Sequence, residues 1–128
     1  TNKNLHSDNH FSILGFLVAG GYGGLSSMEF LSNDDITTWQ RGTDMPGKRA
    51  NGCAVQVSPS MVLIIGGVGD GRFYNTVLAY NLTSMEWTEK APLKIPRSEH
   101  ACVNLDGKIY VTGIFWFVCL FIIIVKTV

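Results

Sequence analysis

The sequence has no excess of either charge: ten Lys and Arg stand against ten Asp and Glu, and the formal net charge is zero. Without a basic field there is nothing to hold the phosphates of a nucleic acid, which is excluded as a partner on that ground. Cysteines number three, and Cys53, Cys102 and Cys119 form neither a C-x-x-C pair nor an even set. Metal and redox roles therefore start without support. Cys53 and Cys102, in the apolar settings NGCAVQV and HACVNL, read as small buried hydrophobes carrying free thiols, which favours a reducing compartment.

Signatures of catalysis are missing as well. The glycine strings AGGYGG and GGVGDGRF have neither the G-x-x-x-x-G-K-[ST] pattern nor a helix to follow it, so they read as loops that end strands. His6 and His10 have the spacing of a helical ligand pair, but LHSDNHFS is a poor helix former and brings no third ligand. No nucleophile stands with a base in a recognisable arrangement, and Glu29, Asp34, Asp35, Glu86 and Glu89 read as solvated strand and turn positions. The chain is expected to be no enzyme and to hold no metal or cofactor.

What the sequence does contain is glycine, 14 residues against four prolines, clustered beside short apolar runs. That pattern predicts an all-β chain with many tight turns. Its length of 128 residues and apolar fraction of 46% suit one modest domain with a core.

An internal repeat organises the middle. Met28 to Trp39 align with Thr76 to Trp87 without a gap, Asn33 falling on Asn81, and Arg49 then falls on Arg97, an offset of 48 throughout. Apolar runs ending in glycine precede these segments: FLVAGG at Gly20-Gly21, VLIIGG at Gly66-Gly67 and IYVTG at Gly113, spaced by 46 and 47. VLII and IYV are too short for helices and rich in β-branched residues, so they read as buried strands. Glycines at their ends allow positive φ where a side chain would block the exit. Asn and its neighbours form a hairpin turn, and the Trp then opens an edge strand and packs against the neighbouring unit. One such sheet cannot bury both faces, so stacking of units must supply the core.

This constellation resembles the kelch repeat, whose blades build β-propellers. Gly20, Gly21, Trp39, Met45-Pro46-x-x-Arg49, Gly66, Gly67, Tyr80-Asn81, Trp87, Arg97 and Ile109-Tyr110 carry the resemblance, over residues 13–113. Ser32, standing where the second unit has Tyr80, and Ile114, standing where a second glycine belongs, depart from it. The resemblance implies a last three strands of one blade over 13–41, a complete four-stranded blade over 50–89 and the first two strands of a third over 99–113. Propellers close with roughly four to eight blades. About two and a half make an incomplete propeller, its further blades missing or supplied by another chain.

By the same resemblance the expected function is non-catalytic protein binding, in a substrate-recognition or scaffolding role such as that of kelch adaptors of ubiquitin ligases. Arginines after the Met-Pro segment of such proteins can lie near the central channel and pair with acidic groups, which places partner binding on Arg49 and Arg97; each could equally tie its own blade together. Val68 to Asn75, VGDGRFYN, is the second candidate, with Arg72, Phe73 and Tyr74 offering a cation and aromatics of the kind enriched at binding hot spots, or else packing between blades. His100 reads as a structural hydrogen-bonding residue. Kelch-like copper oxidases form the enzymatic alternative, although their Tyr, His and linked Cys motifs are not visible.

The two ends read differently from the middle. Residues 1–12 are polar, and Thr1 in place of Met suggests a processed product or internal fragment. From Ile114 to Val125 twelve apolar residues run unbroken. As a helix they would reach about 18 Å, short of the roughly 30 Å of hydrocarbon in a bilayer. The tail at 114–128 is expected to be an unrelated ending, with a membrane anchor as the alternative. Asn81-Leu82-Thr83 is a glycosylation sequon in an exposed turn. The expected location is cytoplasmic, with membrane-associated or extracellular placement as the alternative that a glycan would favour.

Overall fold

The computed structural model describes residues 16–23, 25–31 and 35–113, together with the backbone of 123–126. Among the described residues three larger antiparallel sheets follow one another along the chain, and a fourth has two strands. The first contains β1 (Leu17–Ala19), β2 (Met28–Phe30) and β3 (Gln40–Arg41) in that order. The second is the four-stranded sheet of β4 (Cys53–Ser58), β5 (Met61–Ile65), β8 (Val77–Asn81) and β9 (Glu86–Lys90). Between β5 and β8 the small hairpin of β6 (Val68–Gly69) and β7 (Arg72–Phe73) stands apart. The third sheet joins β10 (His100–Leu105), β11 (Lys108–Gly113) and β12 (Ile123–Lys126). Among the described residues there is no helix, and hence none long and apolar enough to cross a membrane.

Alternation of side chains across each strand builds two cores between three blades. From the first blade, Met28 and Phe30 face forward and meet Val62, Ile64, Leu78, Tyr80 and Leu82 of the second, with Leu17, Ala19 and Trp87 packed around them. On the opposite face of the second blade, Leu63, Ile65, Val77 and Ala79 meet Ile109 and Val111 of the third. The second blade is thus apolar on both faces, which is why VLII and VLAY read as continuous hydrophobic runs. Met45 and Leu93, 48 residues apart, plug the two interfaces from the linkers and are each 3% exposed.

Strand register corrects the gapless alignment of the first two units. Met28 pairs with Ala19 as Val77 pairs with Ile65, so β2 matches β8 at an offset of 49, and the turn before Trp39 is one residue longer than that before Trp87. A slip of one residue exchanges the faces of a strand, and burial therefore chooses the offset that the tryptophans conceal. Leu31, not Ser32, stands where the second blade has Tyr80, and it is buried.

The cysteines give a second correction. Cys53 and Cys102 are joined in a disulfide between β4 and β10, with Cα atoms 6.0 Å apart. Repeat-equivalent residues of two blades point the same way around the stack and cannot meet. Cys102 follows Cys53 by 49 residues in strands that repeat at 48, so Cys53 looks forward and Cys102 looks back.

β12 pairs antiparallel with β11, from Lys108 opposite Lys126 to Val111 opposite Ile123. Part of the apolar tail thus occupies the third-strand position of the third blade, as β8 does beside β5. The rest of the tail, residues 114–122 and 127–128, lies outside the described residues, as do Asn33, Asp34 and the amino-terminal segment with His6 and His10.

Candidate functional site

The second and third blades are each entered by an arginine. Arg49 precedes β4, is 4% exposed, and donates from Nη1 to the Gly66 carbonyl at 2.8 Å and from Nη2 to Thr76 Oγ1 at 2.6 Å. Its guanidinium carbon lies 4.4 Å from the centre of the Tyr74 ring. Arg97 repeats the arrangement before β10: it is 5% exposed and its Nη1 donates to the Gly113 carbonyl at 3.3 Å. Both Nε groups are buried without a hydrogen-bond partner. Burial pushes the Arg49 guanidinium below its ordinary pKa, while Tyr74 and Glu89 favour its charged form.

The glycine pair creates the acceptors that these arginines serve. Gly66 has φ +61° and turns the chain out of β5, leaving its carbonyl outside the ladder. A Cβ there would stand 2.5 Å from the Arg97 carbonyl oxygen and 2.8 Å from His100 Cε1. Gly67 N–H donates to the Arg97 carbonyl, as Gly21 N–H donates to that of Arg49. The linker between blades is thereby pinned to the glycine turn before it, and the arginine at its end to the turn after it.

His100 sits between two of these turns, against Gly66 and Gly113. It is 9% exposed, and neither ring nitrogen completes a well-aligned hydrogen bond. Burial is the main force holding its pKa below the usual histidine value and the Arg97 charge adds to it, against weaker opposing contacts with the backbone of Ile65 and Ser98.

Around this buried frame stands the exposed hairpin. Asp70 and Gly71, with φ of +49° and +74°, make the two-residue turn between β6 and β7, the connection that an Asp-Gly pair favours because both residues tolerate positive φ. Arg72 is exposed, Phe73 is 53% exposed, and the Arg72 guanidinium carbon lies 5.2 Å from the Tyr74 ring centre. Tyr74 is therefore shared by a buried and an exposed arginine. Its backbone is fixed on both sides, the N–H donating to Gly67 and the carbonyl accepting from Arg97 N–H. Of the candidates read from the sequence, Arg49, Arg72, Phe73 and Tyr74 meet here, while Arg97 occupies the corresponding place one blade on.

A cavity of about 120 Å³ opens between β1 and β4, lined by Leu17, Ala19, Ile64, Ala54, Gly52 and Arg49 among others. Sequence reasoning did not anticipate it. Recognising it requires knowing that β1 and β4 lie across an interface, which no local pattern shows.

The two tryptophans of the repeat, Trp39 and Trp87, differ. Trp87 Nε1 donates to the Thr43 carbonyl of the preceding linker at 2.8 Å, and its ring lies 4.6 Å from that of Tyr80. Trp39, its counterpart, is 47% exposed. Asn81 closes the turn between β8 and β9, its Oδ1 accepting from Thr83 and Ser84 N–H at 2.8 and 3.1 Å.

Successive antiparallel sheets packed face to face, each leaving its second strand through glycine, the second and third each entered by a buried arginine, define a repeat protein of the β-propeller class. The kelch motif matches residues 49–94, from the arginine before β4 to the linker after β9. The chain belongs to the kelch-repeat family and comprises part of a propeller. It is 30% identical over 105 residues to a kelch repeat and BTB domain-containing protein of Caenorhabditis elegans, covering 77% of this chain and 18% of that one. It is 28% identical over 81 residues to Kelch-like protein 21 of Danio rerio, covering 63% and 13%. With beta-scruin of Limulus polyphemus it shares 29% over 121 residues, covering 87% and 13%. Among solved structures, that titled "Structure of YjhT" superposes with a TM-score of 0.67 at 21% identity, over 76% of this chain and 30% of that one, which shows the fold. The chain spans between 13 and 18% of the length of these curated relatives.

Proposed function

We propose that this chain is a non-catalytic protein-binding module, and that the β6–β7 hairpin with Tyr74 is its partner-binding surface. The observation that carries the reading is the stack of Arg72, Tyr74 and Arg49: an exposed guanidinium held over a ring that is itself braced by a buried one. A cation and an aromatic fixed on a rigid blade lose little side-chain freedom on binding, which is what hot-spot residues need. The partner chemistry that fits is an acidic peptide, its carboxylate taking the Arg72 fork while Phe73 covers neighbouring apolar surface. Arg49 supports this surface from beneath, and Arg97 holds the equivalent place in the next blade. Kinship with kelch proteins, one of them carrying a BTB domain, supports protein binding and makes a substrate-recognition arm of a ubiquitin ligase a fitting context.

Fluorescence anisotropy with Asp- and Glu-rich peptides tests the reading. Arg72→Ala and Phe73→Ala should each weaken capture about tenfold, worth about 1.4 kcal/mol, without altering the thermal midpoint. Unchanged affinity in both variants would remove the hairpin from the site.

A second reading concerns location. The Cys53–Cys102 disulfide favours an oxidising compartment, and Asn81-Leu82-Thr83 stands at a turn whose Thr83 is exposed. In this reading the chain is a secreted or surface kelch module bearing a glycan on Asn81. Deglycosylation that shifts the mass of the native protein would support it, and an unmodified Asn81 peptide would count against it.

A further inference from the structure

We infer that Asn51-Gly52, at the entry to the second blade, is a site of spontaneous covalent modification, in which Asn51 closes on the Gly52 nitrogen, loses ammonia and becomes aspartate or isoaspartate facing Glu99 of the next blade. Of the eight asparagines in the sequence, Asn51 is the one followed by glycine. Each of the others precedes a residue whose side chain crowds the nitrogen that must attack. The reaction consumes water and needs no other reagent.

Atoms balance within the chain. Gly52 N forms a bond to Asn51 Cγ and gives up its proton, the Cγ–Nδ2 bond breaks, and the amide group leaves with that proton as ammonia. Water then opens the five-membered imide. Attack at the side-chain carbonyl yields aspartate, and attack at the main-chain carbonyl yields isoaspartate, whose backbone runs on through the former side chain.

The local structure favours ring closure. Both residues are exposed, so water reaches the imide. Gly52 N–H makes no backbone hydrogen bond among the described residues, and Gly67 faces it without a side chain, where a Cβ would stand 3.2 Å from that nitrogen. The Asn51 carbonyl accepts from Glu99 N–H at 2.7 Å. A donor on that oxygen stabilises the amide anion through which Gly52 N attacks. Little holds the side chain back, since its Nδ2 stands 3.5 Å from Glu99 Oε1, beyond the usual range of such bonds.

The consequence falls on the junction of the second and third blades. Asn51 and Glu99 are 48 residues apart, equivalent positions of neighbouring repeats, and Gly67 belongs to the first of these two blades, so the site is complete within them. Modification replaces a donor that faces the Glu99 carboxylate with a second carboxylate, and the two repel. The site is separate from the β6–β7 hairpin, and the inference does not rest on what that hairpin binds.

Peptide mapping of the folded chain, aged at neutral pH and body temperature, tests it. Asn51 should lose ammonia at least about tenfold faster than Asn75 or Asn104, with isoaspartate among the products, and unfolding in urea should not speed the loss. Asn51→Asp keeps a residue that tolerates the left-handed backbone here, φ +55°. It should lower the urea midpoint at low salt in the wild type and leave it unmoved in a Glu99→Gln background. An Asn51 no faster than the other two, or one that reacts about tenfold faster once unfolded, would show that the fold shields the site and overturn the inference. An equal effect of Asn51→Asp in both backgrounds would overturn the opposition to Glu99.

Discussion

Arg49 and Gly66 are joined by a 2.8 Å bond from the guanidinium that enters the second blade to the carbonyl at which its second strand ends. The bond answers a problem created by the glycine turn, whose carbonyl leaves the sheet ladder inside the protein and would otherwise be buried without a donor. Orphaning such a group costs about 1–3 kcal/mol. Arg49→Lys keeps the charge but loses the planar fork that reaches both Gly66 and Thr76, along with the stack on Tyr74. It should lower stability by about 1–3 kcal/mol in urea denaturation, whereas Arg72→Ala, at the exposed end of the same stack, should fall within about 0.5 kcal/mol of wild type.

Gly66 and Gly71 allow conformation to be separated from crowding. Both have positive φ, +61° and +74°, but a Cβ on Gly71 meets nothing within 4 Å, while one on Gly66 meets the Arg97 carbonyl at 2.5 Å. Gly71→Ala should cost only the left-handed backbone penalty, about 1–2 kcal/mol. Gly66→Ala should cost that and a further 1–3 kcal/mol or so for overpacking. Equal losses in a chemical denaturation series would mean that the linker yields without cost.

The disulfide closes a loop between residues 49 apart in sequence. For a loop of that length the chain-entropy relation gives about 4 kcal/mol. Dithiothreitol should therefore lower the urea midpoint of the wild type clearly, and should leave a Cys53→Ser, Cys102→Ser double variant unmoved. A wild-type midpoint indifferent to reductant would show that the bridge contributes nothing.

His100 makes stability depend on pH in a stated direction. Its folded pKa lies below the ordinary histidine value of 6.5, so the unfolded chain takes up a proton that the folded one refuses. The folded state is favoured fully above that value and loses ground as pH falls through it toward the lower folded pKa. Thermal midpoints at pH 7.5 and 5.5 should differ more for the wild type than for His100→Asn. An identical difference in the variant would assign the effect to other groups.

Much of this architecture is legible from local chemistry. Glycine pairs after VLII and LVA and the Asp70-Gly71 turn specify backbone events within a few residues of themselves, and residue type alone restricts what each can do. The off-by-one spacing of Cys53 and Cys102 against a repeat of 48 was also a readable sign of pairing. It becomes informative only when side-chain alternation is combined with stacking of units, and without that step two apolar settings look like two free thiols.

The sequence by itself determined the strands, the turns that end them and the repeat that orders them, because those follow from periodicity and from which residues tolerate positive φ. Only the tertiary structure decided the register of β2, the bridge between β4 and β10, the burial of Arg49 and Arg97, and the placement of Ile123–Lys126 beside β11. Each of these depends on which face of one blade meets which face of the next. That choice is made by burial summed over whole sheets, and a displacement of one residue, nearly invisible along the chain, reverses it.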